Sequence, residues 1–213
     1  MATDDEQPFS DLEDALKKSA AALRNADVPF LLGGSLASWA RGGPETRHDL
    51  DLMLKPEDVE RAVAALGEIG MRFEDPPEEW LVKVWDGETL VDLIHHPKGT
   101  PVDDALIERG EVMSVLGMEM RVMALEDVLV TKLMALDEHA LRYESLLAIA
   151  RALRERIDWD DVRSRTTQSV WARAFFVMLE GLGVVPEVSP TTGGHETRVR
   201  VLTPRSSAAA NVG

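Results

Sequence analysis

Cysteine is absent from the 213 residues of this chain. Its absence excludes disulfide bonds, zinc sites built from thiolates and catalysis by a cysteine nucleophile. The chain also lacks an apolar run of membrane-spanning length, and its first residues, Met1 to Gln7, are acidic and polar, unlike a signal peptide. We therefore expect a cytoplasmic protein that does not associate with membranes.

Basic residues are scarce, since 23 lysines and arginines stand against 38 aspartates and glutamates, for a formal net charge of -15. Proteins that bind nucleic acid regardless of its sequence neutralise phosphates with basic patches, so this balance argues against such binding. It is compatible with a local basic groove or with a cationic small substrate. The plainest interpretation of the acidity is that it keeps the protein soluble.

Two common catalytic arrangements are missing as well. No Gly-x-Ser-x-Gly motif is present to support a Ser-His-Asp triad. The histidines have neither cysteine partners nor the His-Glu-x-x-His spacing of a zinc site. We therefore expect neither serine-based nor zinc-based hydrolysis.

Hydrophobic residues make up 45% of the chain, which is enough for a sizeable core, and their spacing alternates between helical and strand patterns. Later in the chain the periodicity is helical only. In the first part of the chain the patterns predict helices over 10–25, 36–41 and onward from Pro56, and strands over 28–32 and 49–54. Two hairpins follow, over 80–94 and 111–122. The last predicted elements are helices over 125–136, 139–156, 159–165 and 167–180.

This order of elements predicts an α/β fold with three parts. Residues 1–123 form a core with a small mixed sheet and flanking helices, and residues 124–183 form a C-terminal helical bundle. Residues 184–213 are rich in Pro, Thr, Ser, Gly and Ala, and we expect them to be a disordered tail.

The most informative stretch runs from Phe30 to Leu54. A short apolar run stops at Gly33-Gly34-Ser35, and a strand that begins with Asp49-Leu50-Asp51 follows after a spacer. Because side chains alternate along a strand, Asp49 and Asp51 share one face and repel each other unless a cation neutralises both. Hard divalent cations prefer such oxygen ligands, and Mg²⁺ commonly takes one or two carboxylates together with substrate phosphates.

This stretch resembles the nucleotidyltransferase superfamily that includes DNA polymerase beta. The family signature is an apolar residue, Gly-Gly or Gly-Ser, a spacer of about a dozen residues and Asp-x-Asp, which here reads Leu32-Gly33-Gly34-Ser35 and Asp49-Leu50-Asp51. Arg47-His48 is similar to the lead-in of small antibiotic-modifying and toxin-like members. The resemblance covers roughly residues 10–136.

The resemblance implies a site for a metal and a nucleoside triphosphate. Asp49 and Asp51 would hold Mg²⁺ or Mn²⁺, and a third carboxylate from a later strand would join them. Gly33, Gly34 and Ser35 would approach the phosphates. The other two residues implied to bind the nucleotide are Arg47 and Lys132, the latter because small members present a helical lysine to the triphosphate.

Asp92 is the candidate for the third carboxylate. A two-residue turn at Asp86-Gly87 predicts that Lys83 pairs with Leu90, which places Lys83 and Asp92 on one face as diagonal neighbours. A surface aspartate paired with Lys83 is the simpler alternative.

Lys132 follows Val128 and Leu129 at helical spacing, so it lies on the apolar stripe of its predicted helix. Lysine is rarely buried without a partner, which favours a functional role. A lysine whose stem packs while its ammonium group reaches solvent is the alternative.

The resemblance thus implies a metal-dependent enzyme that transfers a nucleoside monophosphate from an NTP to an unidentified acceptor hydroxyl or phosphate. Given the net charge, we expect a small-molecule acceptor rather than nucleic acid. Two alternatives stay open: a toxin-like enzyme that modifies tRNA or protein and has an antitoxin partner, and a non-catalytic member that binds a nucleotide or a partner. Residues 142–145 do not match the Arg-x-Lys-Asp type of motif found in several toxin-like relatives.

Overall fold

The computed structural model describes residues 9–46, 49–74 and 79–186. The helices are α1 (Phe9–Asn25), α2 (Gly34–Ala40), α3 (Val59–Glu68), α4 (Asp104–Arg109), α5 (Leu125–Met134), α6 (Tyr143–Leu153), α7 (Trp159–Arg165) and α8 (Val170–Gly181). The strands are β1 (Leu31–Leu32), β2 (Leu50–Met53), β3 (Arg72–Glu74), β4 (Leu81–Asp86), β5 (Thr89–Ile94), β6 (Glu111–Val115) and β7 (Met118–Val122).

One mixed sheet organises the first half of the chain, with the strand order β3-β4-β5-β2-β1-β7-β6. The pairs β2/β5 and β1/β7 are parallel, and the remaining pairs are antiparallel. Helices flank this sheet, so the predicted α/β fold class is confirmed. The central position of β2 matters for function, because it brings the Asp-x-Asp segment next to both β1 and β5.

The sequence of β2 explains its place in the sheet. Leu50 and Leu52 are fully buried, whereas Asp51 between them is only half-buried. Burying these leucines on one face contributes roughly 1.5–3 kcal/mol for each side chain. That packing fixes which face Asp51 presents, because a slip of one residue would reverse both faces.

The turn of the first hairpin differs from the prediction. The sequence predicts a turn at Asp86-Gly87, but Asp86 pairs with Thr89, and Gly87 and Glu88 form the turn. Gly87 has φ 64, and Glu88 is not among the described residues with positive φ. A two-residue turn with positive φ at its first position alone is type II′, which takes glycine there and leaves Asp86 in the strand.

This turn shifts the register by two residues. The predicted pairing of Lys83 with Leu90 is wrong, since Lys83 pairs directly with Asp92. Because the shift is even, both side chains stay on the same face, and Asp92 keeps the orientation that the sequence predicts.

Several boundaries also differ from the sequence patterns. Strand β1 has only two residues, and neither β3 nor α4 is among the predicted elements. The helix expected from His139 begins at Tyr143. The Asp137 carboxylate accepts a hydrogen bond from the His139 backbone N–H at 2.9 Å, a local turn that competes with helix formation.

The buried apolar side chains form two clusters. The first joins the sheet to α1, α2 and α3, and the second joins α5, α6, α7 and α8. Val185 is 4% exposed and packs in the second cluster, with Val184 against it. The rest of the predicted tail, from residue 187 onward, lies outside the described residues.

Arg41 holds the end of α2 against the segment that leads from β7 into α5. Its side chain is 4% exposed. The guanidinium group donates from Nε to the Met123 carbonyl at 3.0 Å and from Nη2 to the Val122 carbonyl at 3.1 Å. The remaining nitrogen, Nη1, donates to Glu111 at 2.8 Å. These contacts keep α2 beside α5, and the two helices pack together.

A second arginine-carboxylate group joins α4, α5 and α7. The Asp127 side chain is 2% exposed and accepts two hydrogen bonds from Arg109, at 2.9 and 3.1 Å. Arg165 of α7 also donates to Asp127. Pairing with two guanidinium groups compensates for burying this carboxylate.

Across the described ranges, no helix combines the length and the apolar character needed to cross a membrane.

Candidate active site

Three carboxylates meet where β2 and β5 run side by side. The parallel register places Asp51 directly beside Asp92, and Asp49 lies immediately before β2. Each of the three offers a carboxylate oxygen, and these oxygens all lie within 4.8 Å of one another. Asp92 is buried, Asp51 is half-buried and Asp49 is exposed, so the group opens toward solvent at Asp49.

The electrostatics of this group centre on Asp51. The pKa of the Asp51 carboxyl is raised to about 7, chiefly by burial and also by the nearby charges of Asp49 and Asp92, while the charge of Lys132 acts in the opposite direction. Without another cation, ionised Asp51 is therefore costly at neutral pH, because one lysine does not offset burial and two like charges.

The donor set suits a hard divalent cation. All three groups offer carboxylate oxygens, the ligand type that Mg²⁺ and Mn²⁺ prefer, and the raised pKa of Asp51 signals a local need for positive charge. A cation placed among these oxygens would favour the ionised form of Asp51.

The Gly-Gly-Ser turn lies against Asp51. The Gly33 backbone N–H donates to the Asp51 carbonyl at 2.9 Å. Gly34 has φ +56, and a Cβ atom added there would stand 1.6 Å from Asp51 Oδ2. Gly34 is therefore required both for its backbone conformation and for the close approach of the carboxylate.

Lys132 of α5 also contacts this turn, although it lies 97 positions after Ser35 in the sequence. Its Nζ donates a hydrogen bond to Ser35 Oγ at 3.0 Å, and the side chain is half-buried. The same ammonium group acts electrostatically on Asp51. The packing of α2 against α5 thus gathers the glycine turn, the carboxylates and Lys132 at one place.

A cleft of about 490 Å³ opens at this place. Its polar end is lined by Gly34, Asp51 and Lys132. Such a volume falls within the usual range for small-ligand sites, about 300–1,000 Å³.

The rest of the cleft is mainly apolar. The sheet contributes Met53 and Ile94, α5 contributes Thr131, and Ala135 follows at the end of that helix. The other lining residues are Trp80, Pro97, Lys98 and Asp137. The cleft thus has a polar end at Asp51 and Lys132 and an apolar end at Met53 and Ile94, with Lys98 and Asp137 also in its lining.

A second cavity of about 350 Å³ lies beside the cleft and shares Pro97, Lys98 and Thr131 with it. Arg109 and Arg165 also line it. Asp103 and Asp127 line it as well, and Asp127 pairs with both arginines, so the cavity carries charges of both signs.

The structure brings most of the predicted site residues together: Gly33, Gly34, Ser35, Asp49, Asp51, Asp92 and Lys132. Arg47 lies outside the described residues, so its proposed contact with phosphate is untested. The apolar lining, above all Trp80, Met53 and Ile94, is not among the site residues that the sequence predicts. Met53 pairs with Ile94, two residues beyond the pair formed by Asp51 and Asp92. These two lining residues could therefore be predicted once the β2/β5 pairing is known.

The fold is that of the nucleotidyltransferases, a class of enzymes that transfer a nucleoside monophosphate. A family model described as "uncharacterised nucleotidyltransferase" matches residues 11–181. The chain belongs to this family, and it is accordingly a nucleotidyltransferase. No curated protein sequence matches the chain.

Two solved structures agree with this fold. A crystal structure of ANT(2″)-Ia with adenylyl-2″-tobramycin is 17% identical, covers 78% of this chain and 97% of its own, and has a TM-score of 0.55. A solution structure of the antibiotic-resistance factor ANT(2″)-Ia is 18% identical, covers 79% and 94%, and has a TM-score of 0.53.

Proposed function

We propose that this enzyme transfers a nucleoside monophosphate from an NTP to a small-molecule acceptor and requires Mg²⁺ or Mn²⁺. The observation that carries the proposal is the group formed by Asp49, Asp51 and Asp92, whose oxygens lie within 4.8 Å of one another beside the Gly-Gly-Ser turn. Three carboxylates this close, one of them with a pKa raised to about 7, need a cation to share.

In the proposed reaction an acceptor oxygen attacks the α-phosphorus of the NTP. A new P–O bond forms, the bond to pyrophosphate breaks, and the electrons of that bond leave with pyrophosphate. Asp49 and Asp51 would hold the cation, with Asp92 as a third oxygen ligand. A divalent cation held by these carboxylates would supply positive charge where negative charge develops on the phosphate oxygens.

The residues of the glycine turn and α5 bind the triphosphate in this proposal. Gly34 has no side chain to block an approaching phosphate, and the first amide N–H groups of a helix lack partners within that helix. Lys132 exchanges its contact with Ser35 for one to the β- or γ-phosphate. Arg47 is a further candidate for a phosphate contact.

Asp92 has two candidate roles that one variant separates. If it only ligates the cation, Asp92→Asn weakens binding of the metal-nucleotide complex. If it accepts the proton of an acceptor hydroxyl, the same variant keeps that binding and loses transfer. Its burial beside Asp51 is compatible with either role.

The second cavity supports a small acceptor. Its volume of about 350 Å³ suits a small molecule, and it shares Pro97, Lys98 and Thr131 with the cleft, Thr131 being next to Lys132 in the sequence. ANT(2″)-Ia, which shares the fold, was solved with an adenylylated small molecule. The net charge of -15 also favours such an acceptor over nucleic acid.

Modification of tRNA or protein, regulation by an antitoxin, and nucleotide binding without catalysis are the competing functions. The first would need a basic groove, and the last predicts binding without turnover. We expect the proposed reaction to take place in the cytoplasm, where NTPs are available.

The decisive experiment asks which molecule receives the labelled nucleoside monophosphate from each NTP. The protein is incubated with one α-³²P-labelled NTP at a time, Mg²⁺ and a small-molecule extract or a tRNA and protein fraction. Label should move to a small molecule and pyrophosphate should be released, whereas Asp49→Asn should give neither. Label in tRNA or protein would favour the toxin-like alternative, and binding without any transfer would favour the non-catalytic one.

A further inference from the structure

We propose that the apolar end of the cleft is a subsite for the base of the nucleotide and that Trp80 is its stacking platform. The subsite is formed by Trp80, Met53, Ile94 and Pro97, all of which line the cleft. This inference rests on the proposed function, because it names where one part of the donor substrate binds.

The floor of the cleft changes from charged to apolar along the strands. Asp51 pairs with Asp92, and two residues further on Met53 pairs with Ile94. Strands rise about 3.3 Å per residue, so the apolar row begins roughly 7 Å from the carboxylate row on the same face. If the phosphates of a nucleotide bind at the carboxylate row, its sugar and base can lie over the apolar row formed by Met53 and Ile94.

Trp80 lies just before β4, and the cleft places it beside the apolar row, since it is one of the lining residues. Its carbonyl accepts hydrogen bonds from the His95 and His96 backbone N–H groups, each at 3.1 Å. His95 lies three residues beyond Asp92 in the sequence, which places the Trp80 backbone about 10 Å along the strand direction from the carboxylates. The interval leaves room for a ribose between a phosphate at the carboxylates and a ring at Trp80.

The indole of Trp80 is available for a ligand. Trp80 is 40% exposed, a large fraction for a side chain of this size that lines a cleft. Trp39 packs against Phe9, with ring centroids 5.1 Å apart, and Trp85 has the Arg72 guanidinium over its ring at 5.8 Å. Within the described ranges, Trp80 has no comparable ring or cation contact.

A planar base is the group that this surface suits. Nucleobases stack on aromatic side chains, and the interaction tolerates any base because every base has a π face. Apolar side chains around the ring exclude water from the stacked pair. Trp80 should therefore strengthen binding of all four NTPs, leaving the choice among them to other groups.

The test compares a nucleotide with its phosphates alone. Calorimetry with Mg²⁺ measures the affinity for non-hydrolysable analogues of the four NTPs and for inorganic tripolyphosphate. Trp80→Leu keeps an apolar side chain and removes the ring, so it should weaken NTP binding about tenfold or more, equivalent to about 1.4 kcal/mol. Tripolyphosphate affinity should stay within about twofold.

Two further variants complete the design. Trp80→Phe keeps an aromatic face and should remain within about threefold of the unchanged protein for the NTPs. Trp85→Leu is the matched control, since Trp85 belongs to the same sheet but does not line the cleft, and it should leave both affinities unchanged.

The outcomes separate the subsite from the proposed function. If Trp80→Leu binds the NTPs as tightly as the unchanged protein, or loses tripolyphosphate equally, the base subsite is wrong while the metal and phosphate site stands. If the unchanged protein binds neither the NTPs nor tripolyphosphate in Mg²⁺, the proposed function fails and the subsite fails with it.

Discussion

Gly34 and Asp51 approach so closely that a Cβ atom on residue 34 would stand 1.6 Å from Asp51 Oδ2. Gly34→Ala must therefore displace the Asp51 carboxylate or the start of α2, and it also forces alanine into φ +56. We expect this variant to lose Mg²⁺-dependent NTP binding, about tenfold or more, and to be less stable. Calorimetry and thermal melting measure the two effects.

Gly87 provides the matched control for that variant. It has a similar φ of +64, but no atom lies within 4 Å of its would-be Cβ. Gly87→Ala should lose roughly 1–2 kcal/mol of stability from backbone strain and keep its nucleotide affinity. Equal loss of NTP binding in both variants would contradict a role for close packing at Gly34.

Asp51 makes the metal-free protein sensitive to pH. Its pKa is raised from 3.8 to about 7, chiefly by burial, so the folded state binds more protons than the unfolded state between these values. Stability in EDTA should therefore fall as pH rises from about 4 to 7, by about 1.4 kcal/mol for each unit of pKa difference.

Asp51→Asn carries no titrating group at this position and should lose less stability between pH 5 and pH 8 than the unchanged protein. Denaturant unfolding in EDTA at the two pH values gives the comparison. An identical pH dependence in the two proteins would show that Asp51 ionises as it does in solvent.

Lys132 should distinguish a triphosphate from a monophosphate. Lys132→Met keeps much of the apolar stem and removes the charge, so we expect NTP binding to weaken by roughly 1.5–3 kcal/mol, the range for a hydrogen bond to a charged group. Binding of the corresponding NMP should change little, because the missing contact is to the β- or γ-phosphate. Calorimetry with both ligands decides the point.

Lys83→Met is the companion variant. Lys83 lies directly opposite Asp92 in the hairpin, so its loss should perturb the carboxylates and affect NTP and NMP alike. If Lys132→Met also weakened both ligands equally, Lys132 would not be the residue that binds the outer phosphates.

Arg41 should be important for stability although it does not line the cleft. Arg41→Leu leaves the carbonyls of Val122 and Met123 without their donor, at about 1–3 kcal/mol for each. Arg154→Leu is the control, because the Arg154 pair with Glu155 is exposed and worth at most about 1 kcal/mol. Urea unfolding should show a large loss only for Arg41→Leu, and similar losses would contradict the burial argument.

Local signals account for what the sequence could predict. The alternation of leucine and aspartate in β2 fixes which face Asp51 presents, and glycine at 34 indicates a position without room for a side chain. Lys132 stood out because a charged residue interrupted an apolar helical stripe. The α/β fold class followed from the order of such patterns.

The features that could not be predicted from the sequence depend on contacts between segments that are far apart in the chain. The donors of Arg41 find carbonyls more than eighty positions away, which no local pattern records. Met53 and Trp80 look like core or interface residues in the sequence, because an apolar side chain gives the same pattern whether a helix or a substrate covers it. The register of the first hairpin depends on the position of Gly87, which has a positive φ, within the two-residue turn. The sequence predicts Gly87 as the second turn residue, whereas it is the first in the structure.

The dependence of NTP binding on a divalent cation decides whether the three carboxylates form a metal site. Calorimetry of the unchanged protein should show binding in Mg²⁺ that disappears in EDTA. The double variant Asp49→Asn/Asp51→Asn should bind in neither condition, while its melting temperature without ligand stays the same or rises because like-charge repulsion is removed. Equal NTP affinity in Mg²⁺ and EDTA, or undiminished affinity in the double variant, would contradict the assignment of these carboxylates to the metal.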